Sequence, residues 1–377
     1  MYLANLGAAR TPERAAPRFI NLAALFPGNP AVRLPGPGRT DPEPIPNRSR
    51  TVPEPVLEPP PSLSGSWWDD CTGTVDGMPE RSANHPFGAV LTAMVTPFDA
   101  EGALDPAAAQ ALAGHLVDAG NDGLVVSGTT GESPTTTDAE KDTLLRAVLE
   151  AVGDRATVVA GVGTNDTRHT VELAEQAAKA GAHGLLVVTP YYNKPPAESL
   201  LAHFTVVADA TELPVMLYDI PGRTGVRIGT STLLRLAEHP RIVAVKDATG
   251  DLFAGSEVLA RTDLAYYCGD DALNLAWLAH GASGLVSVVG HVASRRYTEL
   301  VAAVRAGDLS TARVLHNILI PVVHAIMSPA SQGAIRAKAA LQLQGVLAHR
   351  TTRLPLLPAP DDDLPALRTA LKEAELL

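Results

Sequence analysis

Lys246 ends the apolar run "IVAVK" (242–246) and is followed directly by "DATGD". A lysine is seldom buried without a partner or a task. An ammonium group at the tip of what reads as a core strand therefore asks for a chemical explanation. Other apolar runs end in polar residues in the same way. "SGTTGES" (127–133) brings Thr129 and Thr130 in a glycine turn, and "TPYYN" (189–193) brings Tyr191 and Tyr192. "YDIPGRT" (218–224) brings Tyr218 and Arg223, and "GDD" (269–271) brings two carboxylates. No histidine–carboxylate cluster stands at these positions, so metal hydrolysis and Ser/His/Asp acyl transfer fit poorly and no metal is expected. A lysine with tyrosines suits imine chemistry. Its amine must be neutral to attack a carbonyl, so its pKa has to fall from ~10.4 toward ~7–8, at roughly 4 kcal/mol of desolvation. The competing reading is that Lys246 pairs with Asp247 or another rim carboxylate, and position alone does not separate the two.

The elements that must carry these residues recur from Phe87 onward. Apolar runs start at 89, 123, 157, 184, 214, 242, 264 and 284, and several are apolar throughout, as parallel strands covered on both faces should be. Between them lie alanine- and leucine-rich segments such as "DPAAAQALAGHLVDAG" and "TRHTVELAEQAAKAGA", with helical spacing and a glycine at the end. Eight strand–helix units, blurred after the eighth strand, fit a (β/α)8 TIM barrel, an α/β fold; an open doubly wound sheet is the rival that pattern does not exclude. A barrel would gather the polar residues at the carboxyl ends of its strands into one mouth. "TARVLHNILIPVVHAIM", "AIRAKAALQLQG" and "LPALRTALKEAEL" read as a small C-terminal helical region. The expected division is a proline-rich, disordered leader over 1–85, the barrel over 86–292 and the helical region over 293–377. The leader is too poor in aliphatic residues to offset its ordering entropy. It is either a recognition tail or, as we prefer, a dispensable leader with the true start near Met78.

Bulk properties narrow the partners. A chain of 377 residues, 46% hydrophobic and with a net charge of −11, has material for a large core. Its mildly acidic balance argues against nucleic acid. Cys71 and Cys268 have neither disulfide-framework nor zinc spacing. No apolar run approaches the ~20 residues of a membrane span and no secretory pattern opens the chain, so a cytoplasmic protein without membrane partners is expected. "AGVGTND" (160–166) has Asp166 where a dinucleotide fingerprint needs its third glycine, so no nucleotide cofactor is expected.

"GTTGES", "TPYYNKP", "YDIPGRT", "VKDATGD" and "GDD", in this order and spacing over roughly 86–377, resemble the dihydrodipicolinate synthase family. The resemblance implies a (β/α)8 barrel, usually assembled as a homotetramer (a dimer of dimers). It also implies condensation of pyruvate with aspartate semialdehyde on the route to diaminopimelate and lysine, with no cofactor. Position by position, Lys246 matches the Schiff-base lysine and Tyr218 the tyrosine that handles protons beside it. Thr130 and Tyr192 match its relay partners, Tyr192 being donated across a subunit interface. Thr129, Thr130 and the turn amides match the pyruvate carboxylate site, and Val286 falls among the substrate-binding positions. Arg223 matches the arginine for the aldehyde substrate's carboxylate, a task that suits a planar guanidinium.

Two departures stand out. Asp219 replaces a common Asn, a mild change that leaves the chemistry intact. Where lysine-regulated members carry histidines and a glutamate, this chain has Asp138, Lys141 and His169, with Asn165 and Tyr191 retained. Lys141 would repel a lysine ligand, so weak or absent lysine inhibition is expected. Sugar-acid lyases of the same superfamily share the lysine and tyrosine, but Arg223 and the paired threonines favour the synthase. A non-catalytic barrel acting through its proline-rich tail is disfavoured, since every catalytic position is kept. Asp270 and Asp271 read as structural, and Cys268 as a buried filler.

Overall fold

A computed structural model describes residues 85–328 and 332–377. The leader, with Trp67, Trp68, Cys71 and Met78, lies outside the described residues. The described strands are β1 (Val90–Ala93), β2 (Gly123–Val126), β3 (Thr157–Gly161), β4 (Gly184–Val188), β5 (Val215–Asp219), β6 (Ile242–Asp247), β7 (Ala265–Cys268) and β8 (Gly284–Ser287). All pair in parallel with their sequence neighbours, and β8 returns to β1, which closes the sheet. The open-sheet alternative is thereby excluded.

Strand alternation explains why these runs are apolar throughout. Leu91, Val125, Val159, Leu186, Met216, Ala244 and Val286 fill the barrel interior. Their neighbours Val126, Val187, Leu217, Val245, Tyr266 and Leu285 face the surrounding helices. Each strand is thus buried on both sides, and each contributes to two packed layers. Phe87 and Tyr267 lie in the inner layer, where the Tyr267 hydroxyl donates to the Gly88 carbonyl over 2.9 Å.

The helical layer follows its local signals. Helix α1 (Pro106–Asp118) begins at Asp105, whose carboxylate accepts the Ala108 amide. Helix α2 (Asp138–Val152) has a capping box between Thr137 and Glu140. Helix α3 (Thr167–Ala180) is capped by Asp166 and stops at Gly181, whose φ of 94° is readily available only to glycine. Next come α4 (Ala197–Asp209), α5 (Pro221–Thr224), α6 (Thr230–Leu236), α7 (Leu252–Arg261) and α8 (Asn274–Ala279). The pattern that blurs after the eighth strand is also a helix, α9 (Gly290–Arg305), which packs on β1 and β8. Ala293 breaks it with non-helical angles after one turn, which disrupts the periodicity.

The C-terminal region contains α10 (Leu309–Met327), α11 (Ala334–Leu343) and α12 (Leu364–Glu373). By length and hydropathy α10 could cross a membrane. Its Ala312, Leu315, Leu319, Val322 and Ile326 are nevertheless buried at helical spacing, and the helix packs on α9, α11 and α12.

Candidate active site

Tyr218 and Lys246 are opposite one another in the β5–β6 register, and both point into the barrel. The Lys246 ammonium nitrogen lies 4.2 Å from the centroid of the Tyr218 ring. Both residues are only 4% exposed. Burial therefore pulls the Lys246 pKa down to about 8, opposed by the negative charge of Asp271 and aided by Arg223. Burial also pushes the Tyr218 phenol up to about 12, opposed by the Arg223 cation and by a hydrogen bond with the Thr129 side chain. At neutral pH roughly a tenth of the lysine is then unprotonated, while the tyrosine keeps its proton. Gly269 makes room for the amine's stem: a Cβ there would stand 3.0 Å from Lys246 Cε and 3.0 Å from the Asp247 carbonyl oxygen.

A cavity of about 550 Å³ opens above this pair. Tyr218, Thr129, Arg223, Tyr191 and Tyr192 line it; Lys246 and Val286 are buried and do not line it. The two turn threonines stand differently towards the cavity. Thr129 is exposed, lines the cavity and lowers the Tyr218 pKa, whereas Thr130 is buried and does not line the cavity. Adjacent residues in so tight a turn face opposite sides, which a sequence motif does not reveal. Tyr192 is 88% exposed and held at φ 72°, a left-handed conformation. Arg223 donates to Gln332 Oε1 over 2.5 Å, a contact between residues more than a hundred positions apart that carried no signal in the sequence.

Asp271 is the carboxylate nearest in effect to Lys246, and it is not a surface residue. It is 2% exposed and accepts hydrogen bonds from the Val288 and Val289 amides, the Tyr297 and Ser287 hydroxyls and the Asn274 amide group. Its charge is thus stabilised by five donors while it ties the end of β7 to the turn after β8. Asp270 caps the short turn beside it through the Ala272 amide. Asp247, the alternative partner for Lys246, instead accepts from the Thr249 amide and hydroxyl. Asp219 faces the helices, accepts the Ile228 amide on Oδ2 and has no hydrogen-bond partner on buried Oδ1 among the described residues. Burial raises its pKa to about 7. Cys268 is buried, and its thiol donates to the Asp270 carbonyl. Among the described residues no group of three His, Cys, Asp or Glu side chains is arranged to hold a metal ion.

Residues 86–374 match the dihydrodipicolinate synthetase family model. The chain belongs to that family. It is 67% identical over 291 residues to a 4-hydroxy-tetrahydrodipicolinate synthase of Kineococcus radiotolerans, covering 77% of this chain and 94% of that protein. A protein of the same name from Acidothermus cellulolyticus is 63% identical over 289 residues, covering 77% and 93%. Among solved structures, the lysine-bound dihydrodipicolinate synthase of Cyanidioschyzon merolae superposes with a TM-score of 0.75 at 41% identity, covering 78% of this chain and 100% of that one. The family's fold, a closed parallel barrel followed by helices, is the one found here. In this family member the cavity continues outward to Asp138, Lys141, Asn165 and His169. There His169 Nε2 stands 2.9 Å from the Asp138 carboxylate, and the half-buried Lys141 donates to the Thr136 carbonyl over 2.5 Å.

Proposed function

We propose that this chain is a 4-hydroxy-tetrahydrodipicolinate synthase that condenses pyruvate with L-aspartate 4-semialdehyde through an imine on Lys246. The single observation that carries the chemistry is a desolvated lysine 4.2 Å from a buried tyrosine ring under an open cavity. The neutral amine adds to the pyruvate ketone, and loss of water gives the imine. The protonated imine draws electrons from the methyl carbon, which loses a proton and becomes an enamine. That carbon attacks the aldehyde, a C–C bond forms, and the aldehyde oxygen takes up a proton. The amine of the second substrate then displaces Lys246 and closes the ring.

Tyr218 keeps its proton at neutral pH, so it can give one up and recover it during these steps. Thr129 rather than Thr130 is the hydroxyl that relays to it. The Thr129–Thr130 turn receives pyruvate, its oriented amides favouring the carboxylate, and Val286 of the barrel interior supplies an apolar contact. Arg223, steadied by Gln332, receives the carboxylate of the aldehyde substrate. Tyr192 stands almost fully exposed at the cavity's lining, which fits donation to a neighbouring subunit in a homotetramer built as a dimer of dimers. The domain reading retained is a leader ahead of residue 86, a barrel and a C-terminal helical region. The enzyme is cytoplasmic and needs no cofactor.

Borohydride reduction in the presence of pyruvate, followed by peptide mapping, tests this directly. A reduced adduct on Lys246, absent from Lys246→Ala, is expected together with turnover of both substrates. A folded wild-type protein that traps no pyruvate would remove the assignment.

A further inference from the structure

The turn that presents Thr129 is bounded by two left-handed residues that are not glycine: Ser127 at φ 54° and Glu132 at φ 55°. Both are buried. Residues hold such angles only where their surroundings over-determine them. Within the turn, the Glu132 amide donates to the Thr129 carbonyl over 3.1 Å and the Ser133 amide to the Gly128 carbonyl over 3.3 Å. Any rotation at Glu132 is therefore passed directly to Thr129.

Glu132 is anchored from behind by the C-terminal region. Its Oε1 accepts from Lys338 Nζ over 2.5 Å, and its Oε2 accepts the Arg353 amide over 2.9 Å. Lys338 on α11 is fully buried, gives a second hydrogen bond to the Thr351 carbonyl over 2.7 Å and stands 4.2 Å from the Phe98 ring centroid. Neither Glu132 nor Lys338 lines the cavity. A buried ion pair is an inefficient way to stabilise a fold, since apolar residues of like volume serve as well or better. A pair spent here, 206 residues apart in sequence and one residue from the Thr129–Gly131 turn, acts on geometry.

We infer that Glu132 and Lys338 are positioning residues, an ion pair through which the C-terminal region sets the Thr129 hydroxyl and the turn amides for pyruvate. This rests on the pyruvate reading above. The variants are Lys338→Met and the double variant Glu132→Gln/Lys338→Met in the full chain, measured for thermal midpoint, for KM of each substrate and for the rate of pyruvate trapping on Lys246. In Lys338→Met a rise of about tenfold or more in pyruvate KM, slower trapping and a semialdehyde KM within about twofold of wild type are expected. The double variant leaves no unpaired charge, so its thermal midpoint should recover toward wild type while the pyruvate defect persists. Recovery of both would overturn the inference and leave the pair a structural one. Should Lys338→Met fail to fold, Glu132→Gln gives the same reading with volume kept: an unchanged pyruvate KM and trapping rate overturn the inference. Wild-type trapping in the same series separates the two ideas. No trapping in folded wild type overturns the proposed function, whereas normal wild-type trapping with unaltered variants overturns only the positioning role.

Discussion

Tyr218 and Lys246 are register partners on adjacent parallel strands, and the amine sits 4.2 Å from the centre of the phenol ring. Two neighbouring strands thus deliver an amine and a phenol to the same point of the barrel. The same burial moves their pKa values apart, the lysine down to about 8 and the tyrosine up to about 12. That separation leaves a nucleophile and an acid side by side at neutral pH.

The rate of pyruvate imine formation should rise with pH on a limb centred near 8, because only the unprotonated Lys246 amine attacks. Below that value the rate should fall about tenfold for each pH unit. Borohydride trapping at fixed, sub-saturating pyruvate measures it. A flat profile between pH 6 and about 8 would show that the amine is already neutral throughout.

Thr129→Val and Thr130→Val should separate sharply. Thr129 lines the cavity and influences the Tyr218 phenol, so its loss should lower kcat by ~10²-fold or more, the scale of a proton-transfer group. Thr130 is buried off the cavity, and its replacement should show mainly as a lower melting temperature. Steady-state kinetics beside thermal denaturation tests both. Equal kinetic losses would return Thr130 to the relay.

Asp219 makes the folded state sensitive to pH across the acid-to-neutral range. Its pKa is raised to about 7 in the folded protein from an unfolded value near 3.8. The folded state therefore holds a proton that the unfolded state has lost, and stability falls as pH rises between those values. The fall is complete above about 7 and amounts to ~4 kcal/mol at most. Asp219→Asn keeps the shape and removes the titration. Its melting temperature should decline less than wild type between pH 5 and about 8.5, with turnover retained. Parallel declines would place the proton elsewhere.

Lysine should inhibit weakly or not at all. The outer arm of the cavity carries the Lys141 ammonium, held by the Thr136 carbonyl, and a second cation there meets like charge. Turnover across a lysine series reads this out. Inhibition at sub-millimolar lysine would contradict it, and Lys141→His should then leave it unchanged.

The sequence by itself determined the unit that repeats and the ends of the strands, whereas closure was decided by the pairing of β8 with β1. Runs apolar on both faces, helices capped by Asp105 and Asp166 and the glycine stop at Gly181 are local consequences of side-chain type. Lys246, Tyr218, Arg223 and Tyr192 were legible for the same reason, since each lies at the end of such a run or within a few residues after it. What only the tertiary structure decided depends on facing and on contacts across long separations. Thr129 and Thr130 are adjacent and chemically alike, and the turn alone decides which one reaches Tyr218. The helix after β8 was hidden by the break at Ala293. Asp271 reads as one of two rim carboxylates until α8, β8, the turn after it and α9 surround it with five donors. Glu132 and Lys338 are unremarkable in sequence, because neither the charge of one nor the burial of the other has meaning until the chain brings α11 behind the turn.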